Sequence, residues 1–191
     1  TLQAGRNITF NADVTTDNGN LTAIAGDSNA DQNNRDPGTP ILTINNAILN
    51  GGSGTITLAA VDGNFINNNG DGAILTDGGR WLIYAANPTT SNRGDLSGDN
   101  KRYNQAFTQD IVPDYASNGN WFFYSVAPTL LVKPVSSTMT YGDSLATSYS
   151  YSLSGFIPGD ADASIANDST VFNVGGSRSS SGNVTAGFHD I

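Results

Sequence analysis

The chain contains no cysteine among its 191 residues. Disulfides, thiolate nucleophiles and cysteine-ligated metals are therefore excluded. A protein that crosses an oxidising periplasm in an unfolded state gains from having no thiol that could mispair. The absence of cysteine thus favours export over a cytosolic location.

Charged residues are also few, at 13% of the chain against roughly 25% in ordinary soluble domains. The helix formers glutamate and lysine are scarce, whereas glycine, asparagine, serine and threonine are abundant. This balance predicts an all-β protein with many turns.

Positive charge is especially scarce, because 8 lysines and arginines face 17 acidic residues and leave a net charge of -9. A chain of this charge repels phosphate backbones and anionic lipid surfaces, so no nucleic-acid partner is predicted. The sequence has no long apolar run, and no transmembrane segment is predicted. Because it begins at Thr1 without methionine and has no signal-like apolar stretch, we expect an internal fragment of a longer protein.

A repeat organises the first half of the chain. The phrases NITFNADV and NLTAIA alternate apolar with polar residues, as strands with one buried face do. Aligning Gly19 with Gly54 places Leu21 on Ile56. Without the polar insertion at residues 27–40, the repeat is about twenty residues long, a period typical of parallel β-helices.

The repeat can be followed to Leu75, after which the pattern of apolar and polar residues changes. A stack of strands needs a cover over its last apolar layer, and two aromatic phrases, GRWLIYAANP and WFFY, are suited to that role. Between them, residues 87–117 are predicted to form a long polar loop. The residues assigned to the structural cap are Trp81, Tyr84, Trp121, Phe122 and Tyr124.

From Thr129 onward, short strand-like runs alternate with turn signals such as Pro158-Gly159-Asp160. This pattern predicts a small antiparallel β-sandwich. Two domains are therefore expected. Residues 1–127 would form the C-terminal rungs and cap of a right-handed parallel β-helix, and residues 128–191 the sandwich.

Three phrases in this order, AGRNITFNADVTTDNGNLTAIAGD, GRWLIYAANP and LLVKP…MTYGD…YSLSGFIPGD, carry a family resemblance. The first resembles the end of the β-helical shaft of filamentous haemagglutinin-like adhesins, and the last is similar to the YDG or MBG type of β module. The resemblance implies a secreted or cell-surface adhesin, exported through an outer-membrane transporter of the two-partner type. It also implies roles in cell adhesion, biofilm and carbohydrate binding.

Binding residues are predicted in the polar loop. Arg93-Gly94-Asp95 could reach an integrin, with the carboxylate on its metal ion and the guanidinium in an acidic pocket; the alternative is an ordinary turn. Exposed aromatics could also stack on sugar rings, with Tyr103 as the best exposed candidate, although inward-pointing cap residues would be covered. The predicted binding set, for a host receptor or a glycan such as an exopolysaccharide, is Arg93, Gly94, Asp95, Lys101, Arg102 and Tyr103.

No cofactor or metal site is predicted, although Ca²⁺ would find oxygen ligands. The carboxylates lack the spacing of an EF-hand or of a nonapeptide calcium repeat, and most such residues hydrogen-bond their own turns. The candidates considered are Asp27, Asp31, Asp36, Asp62, Asp71 and Asp77.

No catalytic residue is predicted. The single histidine, His189, lies far from the repeat, and the rungs present mainly asparagine, threonine and glycine. The predicted function is therefore a structural and interaction segment of an adhesin. Two alternatives stay open: a carbohydrate-active enzyme, such as a β-helical polysaccharide lyase or hydrolase, and a dedicated glycan-binding module.

Overall fold

The computed structural model describes residues 1–31, 33, 35–97, 100–109, 111–135, 138–140, 150–157, 175–185 and 187. Over these ranges the chain is nearly all β, which confirms the predicted class. Short 3-10 helices lie at Asp71–Ala73 and Asp114–Ala116. The strands are β1 (Leu2–Ala4), β2 (Ile8–Phe10), β3 (Val14–Thr15), β4 (Leu21–Ala25), β5 (Ile41–Ile44), β6 (Leu49–Gly52), β7 (Thr55–Ala60), β8 (Asn64–Asn67), β9 (Ile74–Thr76), β10 (Arg80–Ala85), β11 (Asn100–Tyr103), β12 (Trp121–Tyr124), β13 (Leu131–Pro134) and β14 (Tyr151–Ser154).

The chain divides into two compact units, Thr1–Pro128 and Thr129–Ile191. The described residues of the first unit form three parallel sheets. The long sheet has the strand order β1-β4-β7-β10-β12-β11, the second sheet β2-β5-β8 and the third sheet β3-β6-β9. Up to β10 the chain visits the three sheets in strict rotation, and the sheets are open.

The internal repeat sets the register of this stack. Leu21 pairs with Ile56 and Thr22 with Thr57 across β4 and β7, as the alignment of the two phrases predicts. The polar insertion at residues 27–40 lies between β4 and β5, so its length does not disturb the ladders on either side. β9 ends at Thr76, immediately after the last residue to which the repeat could be followed.

A continuous apolar core fills the space between the three sheets. Every second residue of the long-sheet strands points into it, as the period of a strand requires. The opposite face of the long sheet carries a second, smaller cluster. Fully buried members of the core include Leu42, Ile44, Leu49, Ile56, Leu58 and Phe65.

The end of the stack departs from the predicted arrangement in one respect. The segment at residues 87–117, expected to be a loop throughout, contains the edge strand β11 and the 3-10 helix Asp114–Ala116. β12 follows β11 in sequence but is inserted between β10 and β11, parallel to both. An isolated parallel bridge also joins Asn92 to Ile66 of β8.

The second unit is described over part of its length. β13 pairs with β14 in antiparallel fashion, with Leu131 opposite Ser154. An isolated antiparallel bridge joins Arg178 and Val184. The strand predicted at residues 171–174 and most of the one predicted from Val184 to the end lie outside the described residues, as do residues 141–149 and 158–170.

Candidate functional site

The two aromatic strands contribute side chains to both faces of the long sheet. Trp81, Phe122 and Tyr124 point into the core between the sheets. The Trp81 and Phe122 rings meet edge to face, with centroids 4.8 Å apart. Tyr124 continues this layer, 6.3 Å from Phe122 with nearly parallel planes. These three residues therefore lie in the last layers of the core, next to the edge strand β11.

The other two predicted cap residues lie on the opposite face. Tyr84 stacks on Phe123 with ring centroids 4.4 Å apart, and the Trp121 ring is also nearly parallel to that of Phe123, at 5.6 Å. The segment after β11 covers them, because Phe107 meets Tyr84 edge to face at 5.1 Å and Ala116 is fully buried there. Assigning all five residues to one cap was wrong, since alternate residues of a strand face opposite ways.

Burial has a clear electrostatic effect on Tyr84. Removal from water, reinforced by the nearby Tyr115 and partly offset by Arg80, raises the pKa of Tyr84 to about 12. The phenol is therefore neutral at physiological pH, and the side chain acts as a buried apolar body with a polar tip.

Arg93, the first residue of the Arg-Gly-Asp motif, lies against the aromatic layer at the end of the core. Its guanidinium carbon is 5.0 Å from the centre of the Phe122 ring and 5.4 Å from that of Tyr124. Its Nε donates a hydrogen bond to the Tyr124 hydroxyl oxygen at 2.9 Å. Arg93 thus makes cation–π contacts that help to close the stack.

Gly94 and Asp95 form a tight turn that is held to β8. Both have left-handed backbone angles, with φ of 59° and 62°. The Asn67 side chain, buried in β8, donates to the Arg93 carbonyl oxygen at 3.0 Å, and a Cβ on Gly94 would lie 2.6 Å from Asn67 atoms. Asp95 is exposed. Integrin binding would require Arg93 to leave the aromatic layer while Asp95 stays accessible, so that role stays a prediction.

The remaining predicted binding residues lie in β11, at the outer edge of the long sheet. Tyr103 pairs with Tyr124, stacks on it at 5.7 Å and packs against the core, so it is not the exposed platform considered for sugar rings. Lys101 is half-buried on the same side. Arg102 is exposed on the other face, with its guanidinium 5.1 Å from the Tyr115 ring. Charged residues on an edge strand also discourage pairing with other chains.

Tyr115 and Gln105 complete this outer surface, and sequence reasoning did not single them out. Tyr115 is 46% exposed, and its hydroxyl donates to the Gln105 Oε1 at 2.8 Å. Its ring also lies 5.5 Å from that of Trp121. A single tyrosine followed by small residues such as Ala116 and Ser117 gives no sequence pattern that predicts this placement.

The carboxylates considered for Ca²⁺ do not gather into one place. In the described part of the chain, no group of three or more histidine or acidic side chains could hold a metal ion. Asp27 is buried and accepts a hydrogen bond from the backbone of Asn29 at 3.0 Å, and Asp62 occupies a left-handed corner with φ of 53°. Both residues therefore stabilise the turns in which they lie.

Neither a protein-family model, nor a curated protein, nor a solved structure matches the chain. The likeness to haemagglutinin-like adhesins, which is carried by the quoted sequence phrases, stays a prediction. Among the described residues, no helix has the length and apolar character needed to cross a membrane.

Proposed function

We propose that the first unit is the end of a right-handed parallel β-helix, which serves as the rigid shaft of an exported bacterial adhesin and has no catalytic role. The observation that carries this proposal is the rotation of the chain through three parallel sheets from β1 to β10. Right-handed crossovers account for about 98% of connections between parallel strands, which is the basis for the handedness.

Two features support a load-carrying rod. Each turn hydrogen-bonds to the next along three sheets, so stability accumulates between nearest neighbours. The core is continuous from Phe10 to the Trp81 layer, and Arg93 lies over the last rings. These contacts would extend the rod, terminate it, and hold the segment around Arg93 in a fixed place.

The second unit is proposed to be a small antiparallel β-sandwich that connects the shaft to further modules. The pairing of β13 with β14 supports this arrangement. Export through an outer-membrane transporter of the two-partner type, to the cell surface or medium, is proposed from the family resemblance. The lack of cysteine supports passage through an oxidising compartment.

We assign receptor contact to the outer surface formed by Arg102, Tyr115 and Gln105. Arg102 and Tyr115 are exposed and adjacent, whereas Arg93 and Tyr103 contact the end of the core. A cationic fork beside an aromatic ring suits a protein receptor or a glycan, because it combines charge-assisted hydrogen bonds with apolar contact area.

Bead attachment tests the adhesin proposal. Beads coated with the full chain should attach to epithelial cells or to exopolysaccharide-coated surfaces more than bare beads do. Arg102→Ala should reduce this attachment, whereas Arg178→Ala, which removes an exposed arginine from the second unit, should leave it unchanged. Attachment no greater than that of bare beads would sink the proposal, and equal losses in both variants would argue against the assigned surface.

A dedicated glycan-binding module is the second candidate, and the exposed Tyr115 ring next to Arg102 favours it. A glycan array with the full chain separates the two functions, since discrete sugar specificity that Tyr115→Ala abolishes would indicate a lectin-like role. Release of reducing ends from glycans, sensitive to Asp71→Asn or Asp77→Asn, would instead establish the enzymatic alternative.

A further inference from the structure

Four asparagines in the chain are directly followed by glycine: Asn18, Asn50, Asn69 and Asn118. In such a pair the backbone nitrogen of the glycine can attack the carboxamide carbon of the asparagine, because glycine has no side chain that hinders the approach. The attack requires a carboxamide that can rotate and a backbone nitrogen that can approach it. Hydrogen bonds that hold either group oppose the reaction.

In the Asn18–Gly19 pair, hydrogen bonds hold both the carboxamide and the backbone nitrogen. Its side-chain oxygen accepts a hydrogen bond from the Ser53 backbone nitrogen of the next turn at 3.0 Å. The Gly19 nitrogen, which would be the attacking atom, donates to the Thr16 carbonyl oxygen at 3.0 Å. Although Asn18 is exposed, both reacting groups are therefore fixed.

Asn50 and Asn69 are held by the stacked strands. Asn50 lies within β6, pairs with residues of β3 and β9, and accepts from the Gly52 nitrogen at 3.0 Å. The Asn69 side-chain nitrogen donates to the Ala47 carbonyl oxygen of the preceding turn at 2.9 Å. Rotation of the Asn50 carboxamide would break its hydrogen bond to Gly52 in the same strand, and rotation of the Asn69 carboxamide would break a contact with the preceding turn.

Asn118 has different surroundings. Both it and Gly119 are exposed, and Gly119 has a φ of 75° in the turn before β12. Among the residues that the structure describes, the Asn118 side chain hydrogen-bonds only to the adjacent Ser117 hydroxyl, at 3.4 Å. This long contact to an exposed neighbour offers little resistance to rotation.

We propose that Asn118 is a site of spontaneous deamidation with water as the co-reactant. The Gly119 nitrogen loses its proton and bonds to the Asn118 side-chain carbonyl carbon, while the bond to the carboxamide nitrogen breaks and ammonia leaves. Water then opens the cyclic imide at either carbonyl. One opening gives aspartate, and the other gives isoaspartate, in which the main chain runs through the Cβ atom.

The two products affect β12 differently. The Asn118 carbonyl oxygen accepts from the Trp121 indole nitrogen at 2.8 Å, and the Asn120 side-chain oxygen accepts from the Trp81 backbone nitrogen at 2.9 Å. Isoaspartate adds a carbon atom to the main chain between the Cα atom of residue 118 and Gly119, which displaces the acceptor on the following Asn120. Aspartate adds a negative charge and leaves the main chain unchanged.

Peptide mapping by mass spectrometry tests the site. In the folded chain, held in mildly alkaline buffer, the Asn118 peptide should gain the mass of an amide-to-acid exchange before the peptides of Asn18, Asn50 and Asn69 do. A urea-denatured sample, in which all four pairs are free to react, provides the reference. The proposal is overturned if another pair reacts as fast in the folded chain, or if Asn118 stays intact while the denatured reference reacts.

Two variants test the structural consequence. Asn118→Gln should remain unmodified, because its longer side chain cannot form the same imide. Asn118→Asp carries the charge without the added carbon, so hydrogen exchange at the Trp81 amide should stay slow in this variant and become faster in the isoaspartate form. Equal exchange in the two forms would contradict a role for the added main-chain carbon.

Discussion

Replacing Trp81 by alanine removes the largest side chain from the last layers of the core. Trp81 is 3% exposed, packs edge to face on Phe122 and pairs with Ile56 of β7. Its backbone hydrogen bond to Asn120 would survive the substitution, because the side chain takes no part in it. The variant therefore isolates the contribution of the indole to closing the stack.

The expected loss follows from the buried area. A tryptophan buries roughly 150–250 Å², which at about 25 cal/mol per Å² corresponds to about 4–6 kcal/mol. Alanine retains part of this area, and measured losses for large aromatic truncations are about 3–5 kcal/mol. We expect about 4 kcal/mol for Trp81→Ala, which is a large fraction of the ~5–15 kcal/mol that stabilises a typical domain.

Trp121 provides the matched control, because it is the only other tryptophan and lies on the opposite face of the same sheet. It is half-buried, so Trp121→Ala should cost about 2 kcal/mol. Urea unfolding followed by far-UV circular dichroism measures both values without relying on indole fluorescence. A loss for Trp81→Ala equal to or smaller than that for Trp121→Ala would refute the assignment of Trp81 to the core layer.

Two further substitutions test neighbouring contacts. Arg93→Lys keeps the charge but loses the planar stacking on Phe122 and Tyr124, so urea unfolding should show a loss of about 1–2 kcal/mol; reduced cell attachment with unchanged stability would instead support receptor binding by this motif. Burial raises the pKa of Tyr84 in the folded state to about 12 from 10.0. The contribution of the neutral phenol to the free energy of unfolding is therefore fully present below pH 10. It falls by up to about 3 kcal/mol as the pH rises to 12, because the unfolded chain loses this proton first. Tyr84→Phe should flatten this decline in unfolding free energies measured from pH 9 to 12, and identical declines in both proteins would contradict it.

The strand register of the stack could be predicted because the same sequence pattern occurs twice. Glycine and asparagine mark the corners, and apolar residues alternate between them, so aligning Gly19 with Gly54 fixes every pair along β4 and β7. The insertion at residues 27–40 leaves this signal intact, because it adds chain at a corner and not within a strand. Local pattern and tertiary pairing agree in this part of the molecule.

The order of the last strands could not be predicted from such patterns. Asn100–Tyr103 is polar and charged, which resembles a loop, yet it becomes β11 because the free edge of β12 offers backbone partners. The phrase WFFY also indicates that both faces of its strand are covered, which its assignment to a cap did not take into account. Four consecutive aromatic residues are apolar on both faces, which is typical of a strand covered on both sides.

The abundance of asparagine has a structural cause that also limits where binding can occur. Asparagine side chains accept hydrogen bonds from backbone N–H groups of the following turn: the Ile41 nitrogen donates to the Asn7 Oδ1 at 2.9 Å, and the Thr55 nitrogen donates to the Asn20 Oδ1 at 2.8 Å. Adjacent strands are about 4.8 Å apart, a gap that this short side chain spans. These polar side chains thus connect successive turns and do not form a free ligand-binding face. The proposed receptor contact therefore falls outside this ladder, on segments such as the edge strand that carries Arg102.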